Sequence, residues 1–565
     1  MNQTRVFLIL AWLMVATLLW MEWGKEQAAP AAPTPAAAAT TNAGAVPTAV
    51  APTAPGAIPS APSMSATPST SASGPAAAPL VTVTTDVLKV ELDGGVMHRA
   101  DLLKYPSTSD DDSAPVRLFA EDPTNYFVAQ TGWVSSNGAA PTHERGFVPE
   151  SAQRDFALAQ GAKDVVVPFV WTGPDGVTIR RTYTFTRGDY VVRVHDEVVN
   201  AGSKPWQGFV YRQLSRVPRA LVKKGPMSAE SYSFQGAAWY SPADKYEKRK
   251  YDDFVDDGTL DKQVAGGWIA MLQHHFFAAW IPTAQDETKF SLAVTQADGK
   301  QAYVVREVGP GVNVAPGAKA GTEARLWVGP KLVKAIEAQN VPGLDRAVDF
   351  SSYGLMATLA SWLFWVLEKI YRLVGNWGWS IVGLVMVIKL VMYPLSAAQY
   401  KSMAKMRKFQ PRMAQLKERY GDDKQKLQMA MMELYKKEKI NPVGGCLPIL
   451  LQMPVFLALY WMLSESVELR HTPWIGWIHD LTARDPYFVL PVINVAVMWF
   501  TQKLNPTTGM DPMQAKMMQW MPVAFGVMFA FFPAGLVLYW VTNGALGLLQ
   551  QWWMVKRYSE EPVKS

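Results

Sequence analysis

The chain has 565 residues, too long for a single domain, with 49% hydrophobic and 18% charged residues and as many as 26 Met and 22 Trp. That balance suits a membrane protein better than a soluble one, and the net charge of +6 matters less than where the charges fall. One cysteine, Cys446, excludes an internal disulfide framework and any cysteine-based metal site, and seven His without an HExxH pattern argue against a zinc enzyme.

Arg5 precedes an apolar run from Val6 to Trp20, followed by Trp23, Lys25 and Glu26. A positive start and a short apolar run also describe a secretory signal peptide. The aromatics at the far end and the lack of an obvious cleavage site favour an uncleaved anchor over residues 1–24, with its N-terminus in the cytoplasm. No charged residue occurs from Gln27 to Thr85, and Ala, Pro, Thr, Ser and Gly dominate to about Pro79. Residues 25–79 cannot bury a core and are expected to form an extended, disordered tether.

Residues 80–345 alternate polar and apolar side chains, as in VTVTTDVLKVEL, DVVVPFVW and TIRRTYTFTRGDYVVRVHDEVV. Turn signals at Gly173-Pro174-Asp175-Gly176 and Arg187-Gly188-Asp189 separate the runs, which predicts a large antiparallel β-sandwich outside the cytoplasm. No helix competes until Lys331 to Gln339. His274 and His275 are adjacent, so on a strand they would face opposite sides. His195, between Val194 and Asp196 in a strand, reads as a surface or satisfied histidine. Asp252, Asp253, Asp256 and Asp257 form an acidic loop without EF-hand spacing.

Residues 346–375, centred on SSYGLMATLASWLFWVLEKIYR, could span a membrane or lie in its interface. The charge distribution decides. Residues 399–440 hold twelve Lys or Arg against five acids, and positive loops stay cytoplasmic. With one span before the β domain, that loop is inside only if 346–375 does not cross. It is expected to lie on the outer face as an interfacial helix.

The span from Ser380 to Ser396 carries Lys389 near its middle, where insertion scales charge about 2.5–3.5 kcal/mol. Lys389 lies 12 residues before Lys401, about 18 Å along a helix, which is far for a side chain to reach the head groups. A functional intramembrane cation is the favoured reading over snorkelling. In the basic loop Met403, Met406, Phe409, Met413, Leu416 and Tyr420 recur at helical spacing. After a turn at Gly421-Asp422-Asp423, a second amphipathic run carries Met431 and Tyr435. This predicts a cytoplasmic helical hairpin whose Met-rich face either holds the two helices together or binds a partner.

Four further apolar segments follow: Cys446 to Ser464, Phe488 to Gln502, Met517 to Phe532 and Leu536 to Val555. Only Phe532-Pro533-Ala534-Gly535 separates the last two, so they should form a tight hairpin. With the N-terminal anchor this makes six transmembrane helices, a five-helix core over 376–558 and a tail at 559–565, both ends cytoplasmic. Several spans are short or carry Pro, and short spans thin a bilayer locally. Gln452, Asn494, Thr542 and Asn543 are polar residues within them, and Tyr539 and Asn543 share a face. Together with Lys389 they permit a water-filled cavity open to the cytoplasm.

Five stretches are recognisable in order and spacing: MYPLSAAQYKSMAKMRKFQPR (392–412), NPVGGCLPILLQMPVFLALY (441–460), VELRHTPWIGWIHDLTARDPYFVLP (467–491), NPTTGMDPMQ (505–514) and FPAGLVLYWVTN (532–543). They resemble the YidC membrane protein insertase family, and the β domain after the first span resembles its Gram-negative members, whose periplasmic domain is a supersandwich similar to galactose mutarotase. The resemblance implies an insertase and chaperone for nascent inner-membrane proteins, acting alone or beside the Sec translocon, with no catalytic chemistry and no cofactor. It also implies a hydrophilic groove with one positive charge, closed on the outside. Lys389 matches that charge, where members usually have Arg. Trp540 matches an aromatic that lines the groove, with Tyr539 beside it; Gln452 and Asn543, the polar residues read from the spans, complete the expected groove. The hairpin at 399–440 would receive substrate, the short tail would give the ribosome only a weak contact, and membrane lipids complete the partners.

Two other readings compete. A small-solute transporter with an accessory periplasmic binding domain predicts inverted repeats, and no convincing repeat is present. A membrane-tethered carbohydrate enzyme predicts a cleft with paired carboxylates, or His plus Glu, in the β domain.

Overall fold

Side-chain alternation fixes the first half of the chain. In Val81–Thr84 and Leu88–Leu92 every second side chain is buried and those between are half-buried, as strand geometry requires. Val177–Thr186 and Val191–Asn200 repeat the pattern and pair antiparallel, with Gly188 at φ +73° in the turn between them. That left-handed geometry costs little only for glycine. The computed structural model describes residues 41–42, 79–110, 112–219, 233–256, 258, 260–297, 299–351, 354–397, 399, 409–421, 423–437, 447–504 and 512–559. The expected anchor at 1–24 and nearly all of the tether lie outside the described residues. The chain divides into two compact units, the first ending at Asp349 and the second starting at Phe350 for its main part.

The first unit holds two sheets. An eleven-stranded sheet runs from Glu287–Ala297 through Lys300–Val314, Trp206–Arg216 and Phe127–Ser135 to Val96–Pro106, Leu88–Leu92 and Val81–Thr84, with short strands at its margins. A nine-stranded antiparallel sheet runs from Lys245–Lys250 through Gly236–Ser241, Trp268–Leu272, Phe276–Pro282 and Lys319–Pro330 to Val191–Asn200, Val177–Thr186, Asp164–Thr172 and Val148–Pro149. Only the short pairings of Thr41–Asn42 with Glu287–Ala297 and of Asp155–Ala157 with Val81–Thr84 are parallel among the described residues. This is the large β-sandwich that the strand pattern predicts.

Its core is aromatic. Trp133, Trp268, Trp280 and Trp327 are fully buried. A buried indole needs an acceptor, and two of these reach across from one sheet to the other. Trp133 Nε1 donates to Asp196 Oδ2 at 2.7 Å, and Trp280 Nε1 donates to the Gln213 carbonyl at 3.2 Å. Arg181, with no exposed surface, forms a two-pronged pair with Asp196 at 2.7 and 2.6 Å. Its remaining nitrogen donates to the carbonyls of Gly94, in the turn before Val96–Pro106, and of Thr131, in the opposite sheet, at 2.9 and 3.1 Å. Every charge-bearing group at this crossing is partnered, which is what makes a buried ion pair tolerable.

The adjacent histidines depart from expectation. His274 and His275 do not lie on a strand but in the turn between Trp268–Leu272 and Phe276–Pro282, so strand alternation does not apply and their rings stack at 3.7 Å. In the acidic stretch, Asp253–Asp256 form one helical turn, and Asp257 lies outside the described residues. The helix expected near residue 331 is the short Val333–Glu337.

The second unit is helical, with α1 at Gly354–Val374, α2 at Trp377–Val391, α3 at Gln410–Tyr420, α4 at Lys424–Lys437, α5 at Leu447–Glu465, α6 at Val489–Lys503, α7 at Pro512–Phe529 and α8 at Ala534–Ser559. Gly375 at φ +71° ends α1, and Asn376 starts α2 by accepting from the Trp379 backbone N–H at 3.1 Å. These are the residue types that helix ends favour. α2 is interrupted at Met392, where Pro394 offers no backbone N–H to the preceding turn, and helical backbone resumes over 393–397. α3 and α4 form the predicted helical hairpin across residues 421–423, with Asp423 accepting from the Lys426 backbone N–H at 3.1 Å.

Among the described residues no helix is both long and apolar enough to cross a membrane. α2 and α6 have 15 residues each, about 22 Å of helix against a hydrocarbon core of about 30 Å. The last two helices also differ from the tight hairpin expected. α7 packs on α6, whereas α8 packs on α6, α2 and α5. Phe529 and Trp540 meet beside the turn, with ring centroids 5.3 Å apart. The start of α8 is steered elsewhere: the backbone N–H groups of Ala534 and Gly535 donate to the carbonyls of Ala483 and Leu481 at 2.7 and 2.8 Å.

Candidate functional site

Residues four apart share a helix face, and on α8 Tyr539, Asn543, Gly547 and Gln551 form one row. Two other helices bring polar groups to that row. α5 contributes Gln452, whose Nε2 donates to Asn543 Oδ1 at 3.4 Å and which lies within hydrogen-bonding reach of the Tyr539 hydroxyl. α2 contributes Lys389, whose Nζ lies 3.3 Å from where a methyl group on Gly547 would stand. The five residues that the sequence singled out for a groove therefore gather along α8. Lys389 meets that helix one turn beyond Asn543.

Burial grades along the row. Tyr539 and Gln551 are buried, while Lys389, Gln452, Trp540 and Asn543 are half-buried. Trp540 packs against Phe456, with ring centroids 4.8 Å apart, and its indole N–H has no hydrogen-bond partner among the described residues. Lys389 stands in the last turn of α2, where unpaired carbonyls give the helix end a partial negative charge that favours a cation. No carboxylate among the described residues lies within ion-pairing distance of it. The site thus offers one uncompensated positive charge beside amide and hydroxyl groups on an otherwise apolar bundle.

One end of this bundle is sealed. The loop 466–488 buries Ile478 and Leu481 and ties together the ends of four helices. Asp485 accepts from the backbone N–H of Leu490 at 2.7 Å, capping α6, and from Trp477 Nε1 at 3.0 Å. Asn376 donates to the Trp474 carbonyl at 3.1 Å, joining the start of α2. The carbonyls of Leu481 and Ala483 hold the start of α8, and Ser466, leading out of α5, is fully buried. Counting 13 residues from Asn376 reaches Lys389, and 13 from Ala534 reaches Gly547. At about 1.5 Å per residue the cation lies about 20 Å from the sealed end on both helices.

In the hairpin, Met413 is buried, and Phe409 and Met431 are half-buried. Met403 and Met406 lie outside the described residues, as does the side chain of Tyr435. The exposed methionines of α4 are Met429 and Met432, at 64% and 47%, which amphipathic spacing alone did not single out. In the β unit His195 is exposed on its strand and lines an open groove of about 320 Å³ with Thr283, Asp286, Thr322 and Glu323. No group of His, Cys, Asp or Glu that could hold a metal ion occurs among the described residues.

Gly547 and Gln551 escaped the sequence reading. The signal was available, since they continue the four-residue spacing begun by Tyr539 and Asn543. What was not available was the approach of Lys389, because nothing local ties α2 to α8.

Comparisons with known proteins cover the whole chain. Residues 369–561 match the family model described as the 60Kd inner membrane protein, and residues 80–366 match that of the YidC periplasmic domain. A protein of Stenotrophomonas maltophilia (strain R551-3) named membrane protein insertase YidC is 58% identical over 565 residues, covering 100% of this chain and 98% of its own. A protein of the same name from Xanthomonas axonopodis pv. citri (strain 306) is 56% identical over 575 residues, covering 100% and 99%. Among solved structures, an active YidC insertase with its first transmembrane domain resolved is 18% identical, with a TM-score of 0.37, covering 84% of this chain and 94% of that one. A galactose mutarotase related enzyme from Lactobacillus acidophilus is 10% identical, with a TM-score of 0.30, covering 44% and 97%.

Proposed function

The chain belongs to the YidC membrane protein insertase family of the inner membrane, and from that premise we propose that insertion proceeds along the polar row of α8. The carrying observation is the convergence of Gln452, Asn543 and the Lys389 ammonium on one face of that helix, in a bundle sealed at one end by the loop 466–488. A nascent apolar segment enters beside the row while its polar or acidic flank occupies the row itself. Moving an amide out of water without partners costs about 2–7 kcal/mol, and a carboxylate far more. Gln452, Asn543 and Tyr539 supply replacement hydrogen bonds, and Lys389 supplies the countercharge. The apolar segment then leaves sideways into lipid. No covalent step is needed.

The short helices support a thinned bilayer at this site. Leu390 and Val391 on α2, Val492 on α6 and Val527 on α7 are each more than 60% exposed. Apolar surface of that extent calls for lipid rather than water. We read α2, α5, α6, α7 and α8 with the N-terminal anchor as six spans, with both chain ends and the basic hairpin in the cytoplasm. The sealed end and the β-sandwich then face the periplasm. α1 carries exposed Leu355, Trp362 and Trp365 around a buried face of Ala357, Ala360 and Phe364, which suits a helix lying in the interface. Nascent membrane proteins are the substrates. The Sec translocon and a weak ribosome contact through the tail are further proposals, resting on the family resemblance.

The test is insertion of a short single-span substrate into liposomes that hold the purified protein. The reading requires that Lys389→Ala lose insertion of an acid-flanked substrate while Lys389→Arg keeps it. Equal insertion by all three forms would remove Lys389 from the mechanism.

A further inference from the structure

Lysine is a flexible point charge on a four-carbon stem, so a groove that uses one must hold the ammonium in place. Nothing among the described residues does so by ion pairing. One steric constraint is Gly547: a Cβ there would stand 3.3 Å from Lys389 Nζ, with no other side chain among the described residues within 4 Å. The other glycine on this part of α8 behaves differently. A Cβ at Gly544 would stand 2.9 Å from Val497 Cγ1 of α6, so that glycine serves helix packing.

We propose that Gly547 is a positioning residue for the insertion charge: its bare backbone is the seat on which the Lys389 ammonium rests, one turn from the Gln452–Asn543 pair. This deepens the reading of Lys389 given above and rests on it. A glycine in a helix interior is unfavourable for the helix itself, so its presence there calls for a compensating use. Without a side chain, residue 547 lets the ammonium stand within 3.3 Å of the place a Cβ would take. A branched side chain would fill that place and push the ammonium off the row, toward the end of α2. A substrate carboxylate aligned with Gln452 and Asn543 would then find no countercharge. The selectivity of the site for acidic flanks is therefore set by two residues, one supplying the charge and the other its place.

The test uses the full chain in proteoliposomes and two substrates that differ only in their flank, one with Asp and Glu and the other with Asn and Gln. Gly547→Val should lower insertion of the acidic substrate at least fivefold, to the level of Lys389→Ala, and leave the neutral substrate within twofold. Combined with Lys389→Ala it should add no further loss. Gly547→Ala, which requires Nζ to move only a few tenths of an ångström, should lose acidic insertion partially. A merely structural glycine would predict the opposite for alanine, since alanine favours the helix. Gly544→Ala, the packing control, should affect both substrates alike. Equal losses on both substrates for the Gly547 variants, or wild-type insertion of the acidic one, would overturn the proposal while leaving the role of Lys389 standing if Lys389→Ala still fails. If Lys389→Ala inserts normally, both readings fall.

Discussion

Asp196→Ala separates the two units of this protein by a number. Asp196 and Arg181 are 2% and 0% exposed, and the pair takes both carboxylate oxygens, one of which also accepts from Trp133 Nε1 at 2.7 Å. Removing the carboxylate leaves a buried guanidinium without a countercharge, at about 3–5 kcal/mol. It also leaves an indole N–H without an acceptor, at about 1 kcal/mol or more. The total, about 4–6 kcal/mol, is a large share of the roughly 5–15 kcal/mol that holds a domain folded. For a unit of this size each kcal/mol moves Tm by about 2–4 °C, so the melting of the β signal should fall by about 10–20 °C. The assay is circular dichroism of the full chain in detergent during heating. Insertion by the same variant, measured well below the new melting point, should match wild type, because the polar row of α8 belongs wholly to the helical unit. A shift under 2 °C would refute the energetic argument. Lost insertion with the β unit still folded would refute the separation of function.

Further outcomes test other parts of the account. Burial alone would depress His98, but hydrogen bonds and charge from Asp93 and Glu121 outweigh it and push its pKa up to about 9. Because the folded value lies above the unfolded one near 6.5, this contribution is complete below about pH 6.5 and is lost as pH rises through about 9. Amide protection factors at residues 93–96 and 120–126, corrected for the intrinsic rise of exchange with pH, should fall over that window in wild type and not in His98→Gln. Asp485→Ala removes the α6 cap and the acceptor of Trp477, together about 2 kcal/mol, and should lower the melting temperature of the helical signal in detergent. His195→Ala, in the open groove of the β unit, should leave insertion unchanged in liposomes. A loss there would revive a role for that groove in the cycle.

Much of the fold was legible because it is local. The alternation in residues 81–92 and 178–199 marks strands, and the glycine at 188 marks the turn between two of them. The hairpin of α3 and α4 was equally legible from methionine spacing around Gly421. What escaped depended on contacts distant in sequence. Arg181 and Asp196 face each other on the hairpin around Gly188, but no local pattern brings Trp133 to them from the other sheet. His274 and His275 have strand-like neighbours on both sides, yet the chain turns there. The last two helices were expected to lie together because their link is short. The hydrogen bonds from Ala534 and Gly535 to the loop 466–488 decide their directions instead. In the candidate site the polar row on α8 was half visible from the spacing of Tyr539 and Asn543. Its meeting with Lys389 needed the packing of α2.

The central claim is that a cation at residue 389 stabilises the polar flank of a substrate on its way across. At about 4 Å a carboxylate and an ammonium attract by about 1 kcal/mol in water and about 4 kcal/mol in a partly dehydrated groove. Lys389→Ala should therefore slow insertion of an acid-flanked substrate by between about fivefold and about a thousandfold. The measurement is the rate of protease-protected product in proteoliposomes for wild type, Lys389→Arg and Lys389→Ala at equal protein density. The account predicts comparable rates for the first two and a rate at least about fivefold lower for the third. Indistinguishable rates for all three would contradict it.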